Sequence, residues 1–128
     1  MRAADTNVVV RLITRDDTRQ VAAAEAAVRD GAWLSIVGLA ETAWVLDSVY
    51  EFSPKQLLAA VEMLLDHEQI VVDQPAVVER AASAFRKRPK MSFTDCLMIE
   101  LARQAGCAPL LTFDRDLARI DGAELITS

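Results

Sequence analysis

The stretch SFTDCLMIELARQAGCAPLLTFDRDL, Ser92 to Leu117, decides how this chain reads. Its first half has the marks of a helix over Ser92 to Ala105: Ser92 suits an N-cap, and Gly106 supplies the stop. The apolar run PLLTF follows and reads as a strand, with Asp114 directly behind it. Strands alternating with helices make an α/β domain with a mainly parallel sheet, and in such sheets ligands bind beyond the carboxyl ends of the strands. Asp95 stands inside the helix among residues that otherwise read as core. Burying a carboxylate is costly unless it is paired or holds a cation.

Working outward, the same alternation covers the chain. DDTRQVAAAEAAVRDG (Asp16 to Gly31) reads as a helix with acids at its start and a glycine stop. AWLSI (Ala32 to Ile36) reads as a buried strand, and VGLAETAWVLDSVY (Val37 to Tyr50) as a largely apolar helix. Ser53 and Pro54 open another helix, with Leu57, Leu58, Val61, Leu64 and Leu65 on one stripe. Ile70 to Val72 is a strand, and a helix runs from about Pro75 to Lys87. RKRPK is a basic break, DRDLAR a short helix and AELIT a last strand. The N-terminus has two readings. Val8 to Val10 favours a strand on propensity alone, whereas a strand ending near Asp5 and followed by a short helix is equally compatible with the local sequence.

The 128 residues suit one domain, 1–128, with a sizeable core, and 52% hydrophobic with 26% charged residues describes an ordered chain. A net charge of -5 argues against coating nucleic acid through bulk charge, but not against holding it through cations. Cys96 and Cys107, joined by helix, would stand about 16 Å apart, too far for a disulfide; free thiols suit a reducing cytoplasm. MRAADTN has no long apolar run, so neither a signal peptide nor a membrane span is expected.

Four acids stand out: Asp5, Glu41, Asp95 and Asp114. Each has an ordinary role available. Asp5 can cap a turn with Thr6 and Asn7, Glu41 can be a solvated helix residue, Asp95 can support the Ser92 cap, and Asp114 can cap the helix after it. Taken together they are harder to dismiss, because three of the four would converge at one sheet edge. Clustered carboxylates repel unless protons or metal ions neutralise them. Oxygen-only ligands point to a hard cation, Mg²⁺ or Mn²⁺. The single histidine, His67, reads as a surface residue, the cysteines lack zinc spacing, and there is neither a phosphate-cradling glycine loop nor a nucleophile elbow.

DTNVVVRL, ETAWVL, FTDCLMIELARQAGC and LLTFDRDL, in this order and spanning nearly the whole chain, resemble the PIN-domain ribonucleases, in particular the VapC toxins of bacterial toxin–antitoxin pairs. The resemblance implies a parallel sheet with helices on both sides and an acidic quartet, Asp5, Glu41, Asp95 and Asp114, binding Mg²⁺ or Mn²⁺. It implies hydrolysis of RNA phosphodiesters. Asp5, Asp95 and Asp114 would hold metal, Glu41 would orient water or complete a metal shell, and Asn7 and Thr112 would orient carboxylates. Relatives often have an acid where this chain has Ser92; Asp116 is a possible substitute. The resemblance further implies a homodimer and a cognate antitoxin; the apolar helices around Trp44 and Leu57 to Leu65 are candidate interface surfaces, with core packing as their ordinary reading. Arg86, Lys87, Arg88 and Lys90 are placed to contact RNA phosphates, with Arg11, Arg15 and Arg115 behind them; a solvated basic turn is the ordinary reading of the first four. Two other readings are a catalytically inactive PIN fold used for binding and a phosphorylatable receiver domain. The second would have paired acids after the first strand and a lysine after the last core strand, and neither is evident.

Overall fold

The computed structural model describes residues 1–127. The chain divides into two compact units, Met1–Pro75 and Ala76–Ser128.

The first unit runs β1 (Arg2–Ala3), α1 (Thr6–Thr14), α2 (Thr18–Val28), β2 (Ala32–Leu34), α3 (Ile36–Ser48), α4 (Pro54–Asp66) and β3 (Ile70–Val72). Its strands form one parallel sheet in the order β1-β2-β3. Ala3 pairs with Trp33, and Trp33 with Val71. Helices separate consecutive strands, so each strand re-enters the sheet in the same direction. The N-terminus follows the second of its two readings: Val8, Val9 and Val10 are helical. Asp5 caps α1, Val9 and Val10 are buried, and α1 packs on α2 and α3. A valine gives up less than about 0.7 kcal/mol of helix propensity, whereas burying it contributes roughly 1.5–3 kcal/mol, so packing wins.

β2 and β3 are buried on one face, not throughout. Ala32 and Leu34 are covered while Trp33 faces out, and Val71 repeats this between Ile70 and Val72. The period-two alternation of a short strand is hidden when its outward residue is also apolar. In α4, Ser53 and Gln56 form a reciprocal capping box with Pro54 in the first turn. Leu57, Val61 and Leu64 are buried and Leu58 and Leu65 half-buried. His67 is half-buried rather than on the surface, its Nδ1 accepting the Gln69 N–H at 3.0 Å.

The second unit holds α5 (Pro75–Lys87), α6 (Phe93–Gln104), β4 (Leu110–Thr112), a 3₁₀ turn (Leu117–Arg119) and β5 (Ala123–Leu125). β4 and β5 pair in parallel, Leu110 with Ala123 and Thr112 with Leu125. The DRDLAR helix is shorter than the sequence suggests, a single 3₁₀ turn. Phe85 of α5 meets Phe93 of α6 edge to face, with ring centroids 5.8 Å apart. α6 packs on β4. Gly122 has φ +97°, and a Cβ there would stand 2.7 Å from Arg103 Nη2 and 2.9 Å from Ile99 Cγ2. Glycine therefore lets the turn into β5 lie directly against α6. The fold is α/β, with parallel strands flanked by helices, as the sequence implies.

Candidate metal centre

The four acids divide two and two between the units. In the first unit, Asp5 stands two residues beyond β1. The Ala4 N–H still pairs with the Trp33 carbonyl at 2.9 Å, so strand pairing runs up to the residue before it. Asp5 then caps α1, its Oδ1 accepting the Val8 N–H at 3.2 Å. Asn7 is exposed on the first turn of the same helix. Glu41 is exposed on α3, which starts where β2 ends, capped by Ser35 through the Gly38 N–H. Because β1 and β2 are neighbouring parallel strands, α1 and α3 both begin at one edge of the sheet. Glu41 lies on the side of α3 that carries Val37, 71% exposed, and Trp44, 62% exposed.

A further carboxylate stands at this edge. Asp73 follows β3, is half-buried, and its N–H donates to the Leu34 carbonyl at 2.9 Å. Its sequence signal is an acid directly after IVV, one residue nearer its strand than Asp5 and Asp114 are to theirs. β2 lies between β3 and β1, which sets those two strands about 10 Å apart.

In the second unit, Asp95 is half-buried on the first turn of α6. The Ser92 hydroxyl accepts the Asp95 N–H at 3.0 Å and does the capping. Among the described residues no hydrogen bond or ion pair engages the Asp95 carboxylate. Asp114 is exposed beyond β4. Its Oδ1 accepts the Asp116 N–H at 2.9 Å and the Leu117 N–H at 3.3 Å, which opens the 3₁₀ turn. The Thr112 hydroxyl accepts the Asp114 N–H at 2.9 Å, so Thr112 acts on the backbone of Asp114 and not on its carboxylate. Asp116 is exposed and contributes its amide to Asp114. A helix that leads through a short link into the strand it packs on runs antiparallel to that strand. The start of α6, with Asp95, therefore lies at the end of the unit where β4 delivers Asp114.

Within each unit, among the described residues, no group of three or more His, Cys, Asp or Glu residues is close enough to hold a metal ion. The donor chemistry nonetheless fits a hard cation. Every donor is a carboxylate oxygen. Asp5 commits Oδ1 to one local amide and Asp114 commits Oδ1 to two, which orients each carboxylate and leaves Oδ2 able to serve as a single oxygen ligand. Mg²⁺ takes one or two carboxylates in this way and keeps several waters. Cys96, next to Asp95, is buried, and burial together with the charges of Asp95 and Glu100 pushes its thiol up to about 11. At neutral pH it is held as the thiol, the less nucleophilic form.

The basic residues also separate. Arg86 and Lys87 end α5, where cations favour the helix dipole; with Arg88 and Lys90 they are exposed. Arg11 is half-buried and donates to the Tyr50 hydroxyl at 2.8 Å, to Asp16 at 3.0 Å and to Gln20. Arg15 pairs with Glu25 at 2.7 Å. Arg11 is thus tied within the first unit, while the Arg15 side chain, 59% exposed, stays at the surface in its ion pair. The Arg11–Tyr50–Asp16 network joins residues up to 39 positions apart, a contact that no local pattern announces.

A PIN domain family model matches residues 3–123, nearly the full chain. The chain belongs to the PIN domain family. No curated protein and no solved structure matches it. PIN domains are generally nucleases and usually depend on divalent metal ions. Among the described residues, no helix is long and apolar enough to cross a membrane.

Proposed function

We propose that this protein is a Mg²⁺- or Mn²⁺-dependent endoribonuclease and the toxin of a VapC-type toxin–antitoxin pair, acting in the cytoplasm as a single PIN-like domain over 1–128. One observation carries the reading: in a PIN-family chain, carboxylates stand two residues beyond β1 and β4, each with one oxygen anchored by local backbone N–H groups, one at Asp5 and two at Asp114. Asp5, Asp95 and Asp114 would hold the metal, which supplies an activated water and stabilisation of the leaving oxygen.

The chain's own residues have distinct tasks. Val8 N–H keeps the Asp5 carboxylate at the head of α1, and the Thr112 hydroxyl keeps the Asp114 backbone in its turn. Ser92 takes over capping at α6, so the Asp95 carboxylate is available for the cation. Glu41 orients the attacking water, and Asn7 supports the carboxylates beside it. Asp116 remains outside the proposed ligand set.

The partners proposed are RNA, a second copy of the chain and a cognate antitoxin. An antitoxin arginine pairing with the carboxylates would displace the metal. Exposed Val37 and Trp44 flank Glu41 and offer apolar surface for such a segment. The test is cleavage of single-stranded RNA with Mg²⁺ or Mn²⁺, its abolition by EDTA, and relief of toxicity on co-expression with the neighbouring upstream gene product. Cleavage that persists in EDTA contradicts the metal. Absence of cleavage with either metal contradicts the enzyme, and unrelieved toxicity contradicts the antitoxin pairing.

A further inference from the structure

The second unit contains a groove of about 350 Å³ lined by α5 and α6, with Ile120 and Asp121 also in its wall. Four cations line it, Arg80, Lys87, Arg88 and Arg103, against two acids, Glu100 and Asp121. A local excess of positive charge is notable in a chain of net charge -5. Glu100 is 5% exposed and, with Thr42, makes up the buried polar residues described. Its Oε2 accepts from Arg80 Nε at 3.3 Å and its Oε1 from Arg103 Nη1 at 3.1 Å. Arg103 is further tied by Nη2 to the Asp121 carbonyl at 2.7 Å and its carboxylate at 3.3 Å. Arg80 is different. It meets Glu100 through Nε, its side chain is half exposed, and its two terminal nitrogens remain as a fork. A buried ion pair is a poor source of stability, but it is an effective way to aim a guanidinium.

We propose that this groove holds the phosphodiester backbone of the RNA substrate through Arg80, Lys87 and Arg88, with Glu100 as the positioning residue that aims Arg80. The proposal rests on the ribonuclease reading above and names where in the second unit the substrate runs. Arg80 and Lys87 lie two helical turns apart on one side of α5. Cys96, which lines the groove, adjoins Asp95, and Glu100 and Arg103 lie roughly 7.5 and 12 Å from Asp95 along α6. Arg86 and Lys90 do not line the groove, so the basic break is divided: Lys87 and Arg88 face the substrate strand.

The experiment measures binding of a labelled single-stranded RNA between 50 and 200 mM salt in an Asp114→Asn background, which prevents cleavage, and steady-state cleavage in the wild-type background. The groove variant is Arg80→Ala/Lys87→Ala/Arg88→Ala. The control is Arg19→Ala/Arg29→Ala/Lys55→Ala, which removes the same charge from exposed positions of the first unit. Lys87→Ala/Arg88→Ala keeps both partners of Glu100 and guards against a folding defect. The groove variant should bind about tenfold or more weakly, with a salt slope shallower by about 2 for three lost contacts and about 1.4 for the double variant. The control should stay close to wild type. Glu100→Gln should raise KM for RNA several-fold with kcat within about twofold, a split that a merely structural role would not produce. RNA cleavage by the wild type together with equal salt slopes in groove and control variants overturns the groove and leaves the nuclease standing. Failure of the wild type both to bind and to cleave RNA overturns the two together.

Discussion

Two helix starts carry candidate metal ligands, and they are built differently. At α1 the acid does its own capping: Asp5 Oδ1 holds the Val8 amide. At α6 the tasks are divided, with Ser92 holding the Asp95 amide while the Asp95 carboxylate has no such duty. Asp114 resembles Asp5, since its Oδ1 organises the turn before Leu117. An acid near a helix start is therefore not explained away by its local hydrogen bonds. A carboxylate has two oxygens, and at Asp5 and Asp114 capping occupies one of them. At Asp95 capping occupies none, so the helix-start explanation has the least support where the sequence raised it most sharply.

Substitutions that keep the cap but remove the charge press hardest on this comparison. Asn caps a helix about as well as Asp. Asp5→Asn and Asp114→Asn should each lower metal-dependent RNA cleavage by at least about 100-fold, with thermal unfolding close to wild type. Cleavage rates and melting curves on the same preparations check this; a drop in melting temperature that tracks the loss of activity would reduce both acids to caps. Next in size, Asp5→Ala and Ser92→Ala should each destabilise by about 1 kcal/mol through the lost cap. Asp95→Ala should cost only about 0.3–1 kcal/mol, the charge–dipole contribution. Ser92→Ala should retain most activity well below its melting temperature, whereas Asp95→Ala should not. Equal stability losses at Ser92 and Asp95 would erase the division of labour.

The smallest effect concerns the thiol beside Asp95. Burial raises Cys96 from 9.0 to about 11, so the folded state resists its ionisation. Stability is thus unaffected by this group below pH 9 and falls as pH rises from 9 toward 11. Cys96→Ala should lose less stability than wild type between pH 8 and pH 10. In the folded protein at pH 8, alkylation should reach exposed Cys107 and spare Cys96, which mass spectrometry of the labelled chain decides.

Much of this was legible in the sequence because the signals are local. Ser53, Pro54 and Gln56 spell out the start of α4, and the helix read from Pro75 to Lys87 has those bounds. Other features depend on partners that lie far along the chain. Three consecutive valines favour a strand until α2 and α3 are there to bury Val9 and Val10. Trp33 reads as buried because nothing in AWL shows that it pairs with Val71 on an exposed face. At the candidate site the acids after β1 and β4 could be read directly, and Asp73 after β3 is found by the same rule. The pairing of Glu100 with Arg80 could not be, because it joins two helices twenty residues apart.

The central claim is that Asp95 is present for a cation and not for its helix. It is tested most directly by the single-turnover rate of RNA cleavage at saturating Mn²⁺ for wild type and Asp95→Asn, with a melting curve for each, with and without metal. The account predicts a rate at least about 100-fold lower in the variant. It also predicts that metal at ten times its Kd stabilises the wild type by about 1.4 kcal/mol, roughly 4–6 °C, and the variant by less. Equal cleavage rates, with a variant that melts lower whether or not metal is present, would make Asp95 a helix-start residue and contradict the account.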